Sequence, residues 1–470
     1  MDFTVPEDVQ RLLRDLDAFI DAEIRPLEEQ DDNVRFFDHR REYARTDFEA
    51  GGLPRREWEE LLGEMRRRAD AAGFLRYALP AAVGGRDGTN LAMAVVREHL
   101  AHRGLGLHND LQDESSVVGN FPVFHLVWSF GTDEQKADFG PAIITGERRV
   151  GFGLTEPDHG SDATWMETSA TRDGTTWVIN GTKRWNTGMH TATHDLVFAR
   201  TSGAPGSARG ITAFLVPTDT PGLEVTAFLW TFNMPTDHAD VTLHDVRVPE
   251  TAMLGAEGEG LAVAQHFVHE NRIRQAASGV GAAQFCIDEA VAYARERVTF
   301  GRPLAERQAI QWPLVELHTE AELVRTLVHR TAWELDSTHH LDVSHRVSMC
   351  NYRPTGSSAM PRTGRCRCTA GSATAGTSRS STSTATTGGT GSRKDPRRSK
   401  CAGSRGSCSA SPGRRPAPRE PPTATYATSP SRRSSTVRSC GEVDACIAAS
   451  RVMTPSRSSA TRCWSKVCIP

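Results

Sequence analysis

The sequence predicts an α+β chain with three folded parts, helical, then mainly β, then helical, followed by a tail unable to build a core. Three observations carry that prediction. Apolar residues recur at steps of three and four over residues 9–27 and 58–72, short β-branched runs between turn dipeptides fill residues 151–255, and helical spacing returns from Phe267. After Arg353, the last 117 of 470 residues contain no Leu, Phe, His, Asn or Gln. Such a segment cannot bury enough surface to offset an ordering cost of roughly 1–2 kcal/mol per residue, so disorder is expected there. The resulting parts are an N-terminal helical domain 1–150, a middle, mainly β domain 151–255, a C-terminal helical domain 256–353 and a tail 354–470.

Val9, Leu12, Leu13, Leu16, Phe19, Ile20, Ile24 and Leu27 form one apolar stripe, and Trp58, Leu61, Leu62, Met65, Ala69 and Ala72 form a second. Residues 29–54 between them lack a period and read as a long loop or insertion. Thr132-Asp133-Glu134-Gln135 is a capping box that starts another helix, just after the apolar core stretch Val123 to Phe130. In the β part, Asp173-Gly174 and Asn180-Gly181 flank Thr175 to Ile179, the pattern of a hairpin, and Leu196 to Ala199 and Ile211 to Val216 supply further strands. Two long helices follow, the first carrying Ile273, Ala276, Val280, Ala283 and Ile287, the second Ile310, Leu314, Leu317, Ala321, Val324 and Val328. A bundle built on these two lacks a further long helix, so the C-terminal bundle is expected to be incomplete.

The net charge of −3 conceals two unlike halves. The tail holds 20 basic and 4 acidic residues, which leaves 35 of the 55 basic and 54 of the 58 acidic residues in the first 353. Phosphate contacts need clustered Lys and Arg, so the acidic body is not expected to bind nucleic acid. Of ten cysteines only Cys286 and Cys350 lie in the body, which suits a reducing compartment. Met1-Asp2-Phe3-Thr4 begins no signal or transit peptide, and no apolar run approaches the roughly 18 residues of a membrane span. A cytoplasmic location is expected. His190 and His194 lack the intervening Glu of a metalloprotease helix, and neither Gly104-Leu105-Gly106 nor Gly279-Val280-Gly281 completes a GxGxxG fingerprint, so neither a metal centre nor a Rossmann site is expected.

Two segments carry the chemistry: Gly153-Leu154-Thr155-Glu156-Pro157-Asp158-His159-Gly160-Ser161-Asp162, and Gly181-Thr182-Lys183-Arg184-Trp185-Asn186-Thr187-Gly188. A Gly-Ser turn presents amides and a hydroxyl to a pyrophosphate, and Trp185 presents a flat face to an aromatic cofactor. Taken singly, each segment also reads as polar turns around an antiparallel domain with Trp185 in the core. Together and in this order, they resemble the acyl-CoA dehydrogenase family. The resemblance extends through Gly131 to Lys136, Leu243 to Pro249, Glu270-Asn271-Arg272, Arg297 to Arg302 and Gln308 to Gln311, covering nearly all of residues 1–353. His159 departs from it, standing where the family usually has a small residue.

The resemblance implies a β-barrel-like middle domain and FAD as cofactor. Phe152, Leu154 and Thr155 would hold it, Gly160 and Ser161 would lie near its pyrophosphate or the substrate, and Trp185 and Thr187 would lie against the isoalloxazine ring. Arg272 would sit beside the acyl-CoA, while Arg297, Phe300 and Gln308 would reach the FAD of a neighbouring subunit. On residues alone, Arg297 could equally pair with Glu296 or Glu306. The implied reaction is α,β-dehydrogenation of an acyl-CoA thioester to the 2-enoyl-CoA, with electrons passed to an electron-transfer flavoprotein, in a homodimer or homotetramer. A flavin oxidase or monooxygenase of the same fold is the alternative within the family; a non-catalytic acyl-CoA-binding protein with a genuine disordered tail is the alternative outside it.

That reaction needs a carboxylate base, usually a glutamate in a C-terminal glutamate-glycine motif, and no such motif follows Arg353. Its trace appears one base out of register. If a base is lost just after codon 353, Pro354 to Ala359 can encode ANRLVC, Cys368 to Thr374 MHGGVGY, and Ser392 to Lys400 ITEGSEEIQ. The last two resemble family motifs in the right order, which predicts a frameshift and places the base where Lys394 stands. No catalytic base is then retained in the chain as written. Glu270 is the nearby substitute, but bases on this helix directly precede the arginine, where Asn271 stands; one residue turns a side chain by about 100°.

Overall fold

The computed structural model describes residues 4–38, 41–110, 115–229, 237–338 and 342–352. The expected tail, with its eight cysteines and Lys394, lies outside them. The N-terminal stripe forms α1 (Glu7–Phe19), which continues through a wide turn at Ile20–Ile24 into α2 (Arg25–Glu29). The second stripe is α3 (Arg56–Ala71), burying Trp58, Leu61, Leu62, Met65 and Ala69. The first part of the expected loop 29–54 has structure that its lack of period does not suggest: Gln30–Phe37 makes 3₁₀ turns, and Phe36 packs 5.2 Å from Trp58. Two aromatic anchors replace a stripe there, since Phe37 reaches the same indole from 5.8 Å.

Next comes α4 (Asn90–His102), capped by Thr89, whose side chain accepts from the Ala92 amide. Its residues Ala92 to Arg97 are buried all round, so it has no one-sided stripe to read. Pro122–Phe130 forms α5 and Asp133–Thr145 forms α6, with both hydrogen bonds of the expected capping box in place at Thr132 and Gln135. The Gln135 amide also donates to the Thr251 and Met253 carbonyls, at 3.0 and 2.9 Å, tying the helix to the β region.

The β region is one eight-stranded sheet of β1 (Val150–Gly153), β2 (Ser169–Asp173), β3 (Thr176–Thr187), β4 (His194–Arg200), β5 (Ile211–Pro217), β6 (Leu223–Phe228), β7 (His238–Pro249) and β8 (Met253–Leu254). The hydrogen-bonded order is β6-β7-β3-β2-β4-β5-β8, with β1 pairing parallel to β4 off that path. The expected hairpin at Asp173-Gly174 is present, Asp173 standing opposite Thr176. Asn180-Gly181 is not its second turn. It lies inside β3, where the register against β7 shifts between Leu243 and Val246. Asn180 exchanges hydrogen bonds with Asp245 there, and Asp245 at φ 50° takes up the extra length. A turn-favouring pair thus serves a bulge.

The remaining helices are α7 (Gly260–Glu296) and α8 (Gln308–Ser337), followed by helical backbone over residues 344–352. Ala276, Ala277 and Val280 of α7 pack with Val324, Val328 and Ala332 of α8 and with Val343, Val347 and Cys350. Gly281 sets the crossing with α4: a Cβ there would lie 2.0 Å from the Glu98 carbonyl oxygen. A second core joins Leu126, Val127 and Phe139 of α5 and α6 to Leu196, Phe198 and Leu215 of the sheet and Val263 of α7. That layer brings α7 against the strands that carry the first motif.

Candidate functional site

β1 delivers the first motif. Phe152 lies opposite Leu196 of β4, and its ring sits 4.5 Å from Phe267 of α7 and 5.2 Å from Phe198. Leu154 joins the same core. The loop that follows is pinned to β3: the Arg184 amide donates to the Thr155 carbonyl at 2.9 Å, and Arg184 itself makes a two-point pair with Asp240, 2.8 and 2.6 Å. Buried Glu156 accepts from the Glu167 and Thr168 amides at 2.7 and 2.9 Å and from Lys183 Nζ at 2.9 Å.

Both members of that pair are charged at neutral pH. Burial pushes the Glu156 carboxyl up, yet Lys183 and the contacts from Glu167 and Thr168 outweigh it and hold the group below its ordinary value. Burial pushes the Lys183 ammonium down to about 8, against the attraction of Glu156. Gly160 is half-buried and Ser161 exposed, just ahead of the short turn that Asp162 caps by accepting from the Thr164 amide. His159 reaches Glu167 at 3.3 Å.

Trp185 owes its position to a second bulge. Arg184 pairs with Asp240 and Asn186 with Ala239, so Trp185 is the extra residue on β3, at φ 68°. A non-glycine residue in that region is uncommon, and bulges beside functional sites re-aim a side chain. The indole is half-buried, with the His238 ring 6.4 Å away, and Thr187 at the strand end is exposed.

On α7 two arginines contrast. Arg274 donates to the Asn120 carbonyl at 3.0 Å, to the Asn120 side chain and to Glu270 at 3.3 Å. Arg272 is half-buried, its Nε buried without a hydrogen-bond partner, and burial lowers its pKa. Glu270 is held on both oxygens, by Arg274 and by His266 at 3.5 Å. His125 of α5 belongs to the same group; burial pushes it down to about 4, with Glu270 opposing and Arg274 and His266 assisting.

Past α7, Val298-Thr299 pairs with Arg302-Pro303 around a turn in which Phe300 and Gly301 both have positive φ, 50° and 77°. Phe300 is 97% exposed at its tip, and Arg297 and Gln308 are exposed on either side. Neither Glu296 nor Glu306 pairs with Arg297 among the described residues. The strands bring Phe152, Leu154, Thr155, Trp185 and Thr187 together, whereas Arg297, Phe300 and Gln308 form a separate outward edge. The sequence reading missed the Lys183–Glu156 pair, the Arg274–Asn120 clamp and a buried Asn186–Asp195 contact. A charged residue opening the apolar run Leu196 to Ala199 was the available signal for the last.

Among the described residues no group of three metal-ligating side chains occurs, and no helix is long and apolar enough to cross a membrane. Three family models match in succession: the N-terminal domain of acyl-CoA dehydrogenases over residues 6–147, the middle domain over 151–246 and the C-terminal domain over 258–358. A glutaryl-CoA dehydrogenase of Desulfococcus multivorans is 30% identical over 71% of this chain and 79% of its own. The human mitochondrial short-chain specific acyl-CoA dehydrogenase is 31% identical over 71% of this chain and 74% of its own. Among solved structures, the butyryl-CoA dehydrogenase of Megasphaera elsdenii matches with a TM-score of 0.65 at 25% identity, over 82% of this chain and 94% of its own.

Proposed function

The chain belongs to the acyl-CoA dehydrogenase family, and from that premise we propose that its body is built for FAD-dependent α,β-dehydrogenation of an acyl-CoA thioester to the 2-enoyl-CoA. The observation that carries this is the Trp185 bulge, which sets a half-buried indole next to Arg184, whose amide pins the Thr155-Glu156 loop. These residues fit a flavin. Phe152 of β1 and Leu154 and Thr155 just beyond its end would hold it, Gly160 and Ser161 would meet pyrophosphate or substrate, and Trp185 and Thr187 would flank the ring. Bound flavin supplies the hydride acceptor. The orphaned Nε of Arg272 suits an anionic part of the acyl-CoA, since a desolvated guanidinium gains most from a charged acceptor.

Phe300, exposed with Arg307 Cζ 5.5 Å from its ring centre, together with Arg297 and Gln308 would serve the cofactor of a second copy. This supports a homodimer or homotetramer. An electron-transfer flavoprotein is the proposed acceptor; a solved structure of similar fold, of the electron transferring flavoprotein of Acidaminococcus fermentans, matches with a TM-score of 0.63 at 25% identity. Cys286 and Cys350, both buried free thiols, suit a cytoplasmic location.

As written, the chain is proposed to be impaired. With the base motif out of frame, Glu270 is the nearby carboxylate, and two cationic or basic partners already engage it. Loss of a general base lowers the rate by about 10²–10⁴. The test is to sequence the gene across codon 353, then express the written and one-base-restored chains, measuring bound flavin and its bleaching by acyl-CoA. Flavin in both, with bleaching only in the restored chain, is expected. Equal bleaching would remove the frameshift's functional meaning, and absence of flavin from both would overturn the cofactor.

A further inference from the structure

Asp195 is fully buried near the start of β4, opposite Gly151 of β1 and Val216 of β5. Asn186 Nδ2 donates to its Oδ2 at 2.6 Å. The other two oxygens of the pair, Asp195 Oδ1 and Asn186 Oδ1, are buried and have no hydrogen-bond partner. The β1 glycines leave room for this contact. A Cβ on Gly151 would lie 2.9 Å from Asp195 Oδ1, and one on Gly153 would lie 2.9 Å from Asn186 Nδ2.

The contact also explains the bulge. Side chains alternate along a strand, so Lys183 and Asn186, three apart, should face opposite sides. Both are fully buried, because Trp185 is the extra residue between them. The bulge thereby places the Asn186 amide against Asp195.

Charge settles which form of Asp195 suits this place. The charged groups facing it are Lys183 of β3 and, paired to Lys183, Glu156; the β1 and β5 partners are Gly151 and Val216. Lys183 and Glu156 already neutralise each other, so an ionised Asp195 would leave one unbalanced negative charge where none is solvated. It would also leave two acceptor oxygens without a donor. One proton removes both faults.

We propose that Asp195 is a positioning residue that works protonated, its carboxylic acid and the Asn186 amide pairing through two hydrogen bonds and so fixing the Trp185–Thr187 bulge toward the cofactor. The role rests on the reading of Trp185 and Thr187 as flavin contacts. Burial pushes the Asp195 carboxyl up to about 7, against the Asn186 hydrogen bond and Lys183. The second hydrogen bond is therefore present below neutrality and lost as pH rises through it.

The test uses the full-length chain. Infrared titration should show a buried carboxylic-acid carbonyl band that disappears across neutral pH, is missing from Asp195→Asn and is displaced in Asn186→Leu. FAD affinity, read from quenching of added FAD, should fall several-fold over the same pH range in the native chain and be flat in Asp195→Asn. Absence of the titrating band, or an unchanged pH dependence of FAD affinity in Asp195→Asn, overturns the proposal. If no FAD binds at any pH, the cofactor reading fails by itself, and the band with its Asn186→Leu displacement still decides the acid–amide pair. Should either variant not fold, the native band and native FAD titration must share one midpoint, and separate midpoints overturn the role.

Discussion

The β1–β3 face and the turn between α7 and α8 present their candidate residues in opposite ways. On the β face, Thr155, Glu156, Lys183, Arg184 and Asn186 are engaged within one chain, and Trp185 is aimed by a bulge those bonds hold. At the turn, Phe300 is almost wholly exposed and Arg297 is exposed at the end of α7. The first region is organised by burial and hydrogen bonds within the chain; the second is open to solvent, as the proposed contact with a second copy requires. The difference teaches where to look for stability effects and where for binding effects.

The largest expected effect tests the prebuilt half. Lys183→Met leaves Glu156 ionised and unpaired in the interior, which should destabilise the chain by about 3–5 kcal/mol. A urea denaturation series checks this, and adding Glu156→Gln should recover much of the loss; an unshifted midpoint in the single variant would break the contrast. Acid probes the α5–α7 side next. His125 is neutral in the fold because its pKa is lowered to about 4, so stability is full above the ordinary histidine value and falls as pH drops from about 6.5 toward 4. Up to about 3 kcal/mol is at stake, and His125→Asn should flatten that part of the pH–stability curve.

The docking half should behave in reverse. Arg297→Ala combined with Phe300→Ala should leave the denaturation midpoint within about 0.5 kcal/mol, as exposed substitutions do. The same pair should weaken FAD retention about tenfold, or about 1.4 kcal/mol. Equilibrium dialysis measures the second effect, and stability loss without flavin loss would reverse the assignment of the two halves. The smallest effect is local to neither: Thr132→Ala removes a cap from α6 and should cost about 1 kcal/mol by thermal unfolding.

Much of this was legible in the chain. The stripes of α1 and α3, the capping box at Thr132 and the period change near Gly151 follow from local rules, and each element formed as read. The motif order from Thr155 to Thr187 pointed to the family because a Thr-Glu-Pro turn, a Gly-Ser turn and a Trp with a Thr two residues on stand in one fixed order. Asn180-Gly181 misled because tolerance of positive φ serves a bulge as well as a turn. α4 stayed hidden because burial on all sides erases the one-sided pattern. Arg272 and Arg274 look alike in sequence; Asn120 and Glu270 distinguish them, and Asn120 is more than a hundred residues away.

The sequence by itself determined the helix–β–helix order, the family, and the change of composition after Arg353. These are properties of local pattern, fixed by which side chains are apolar and how they are spaced. Only the tertiary structure decided that Trp185 is the extra residue of a bulge, that Lys183 and Asn186 both turn inward, and that Asp195 sits fully buried against an amide. Those outcomes depend on which strand lies beside which, and burial then turns ordinary polar residues into a coupled group whose charge state matters.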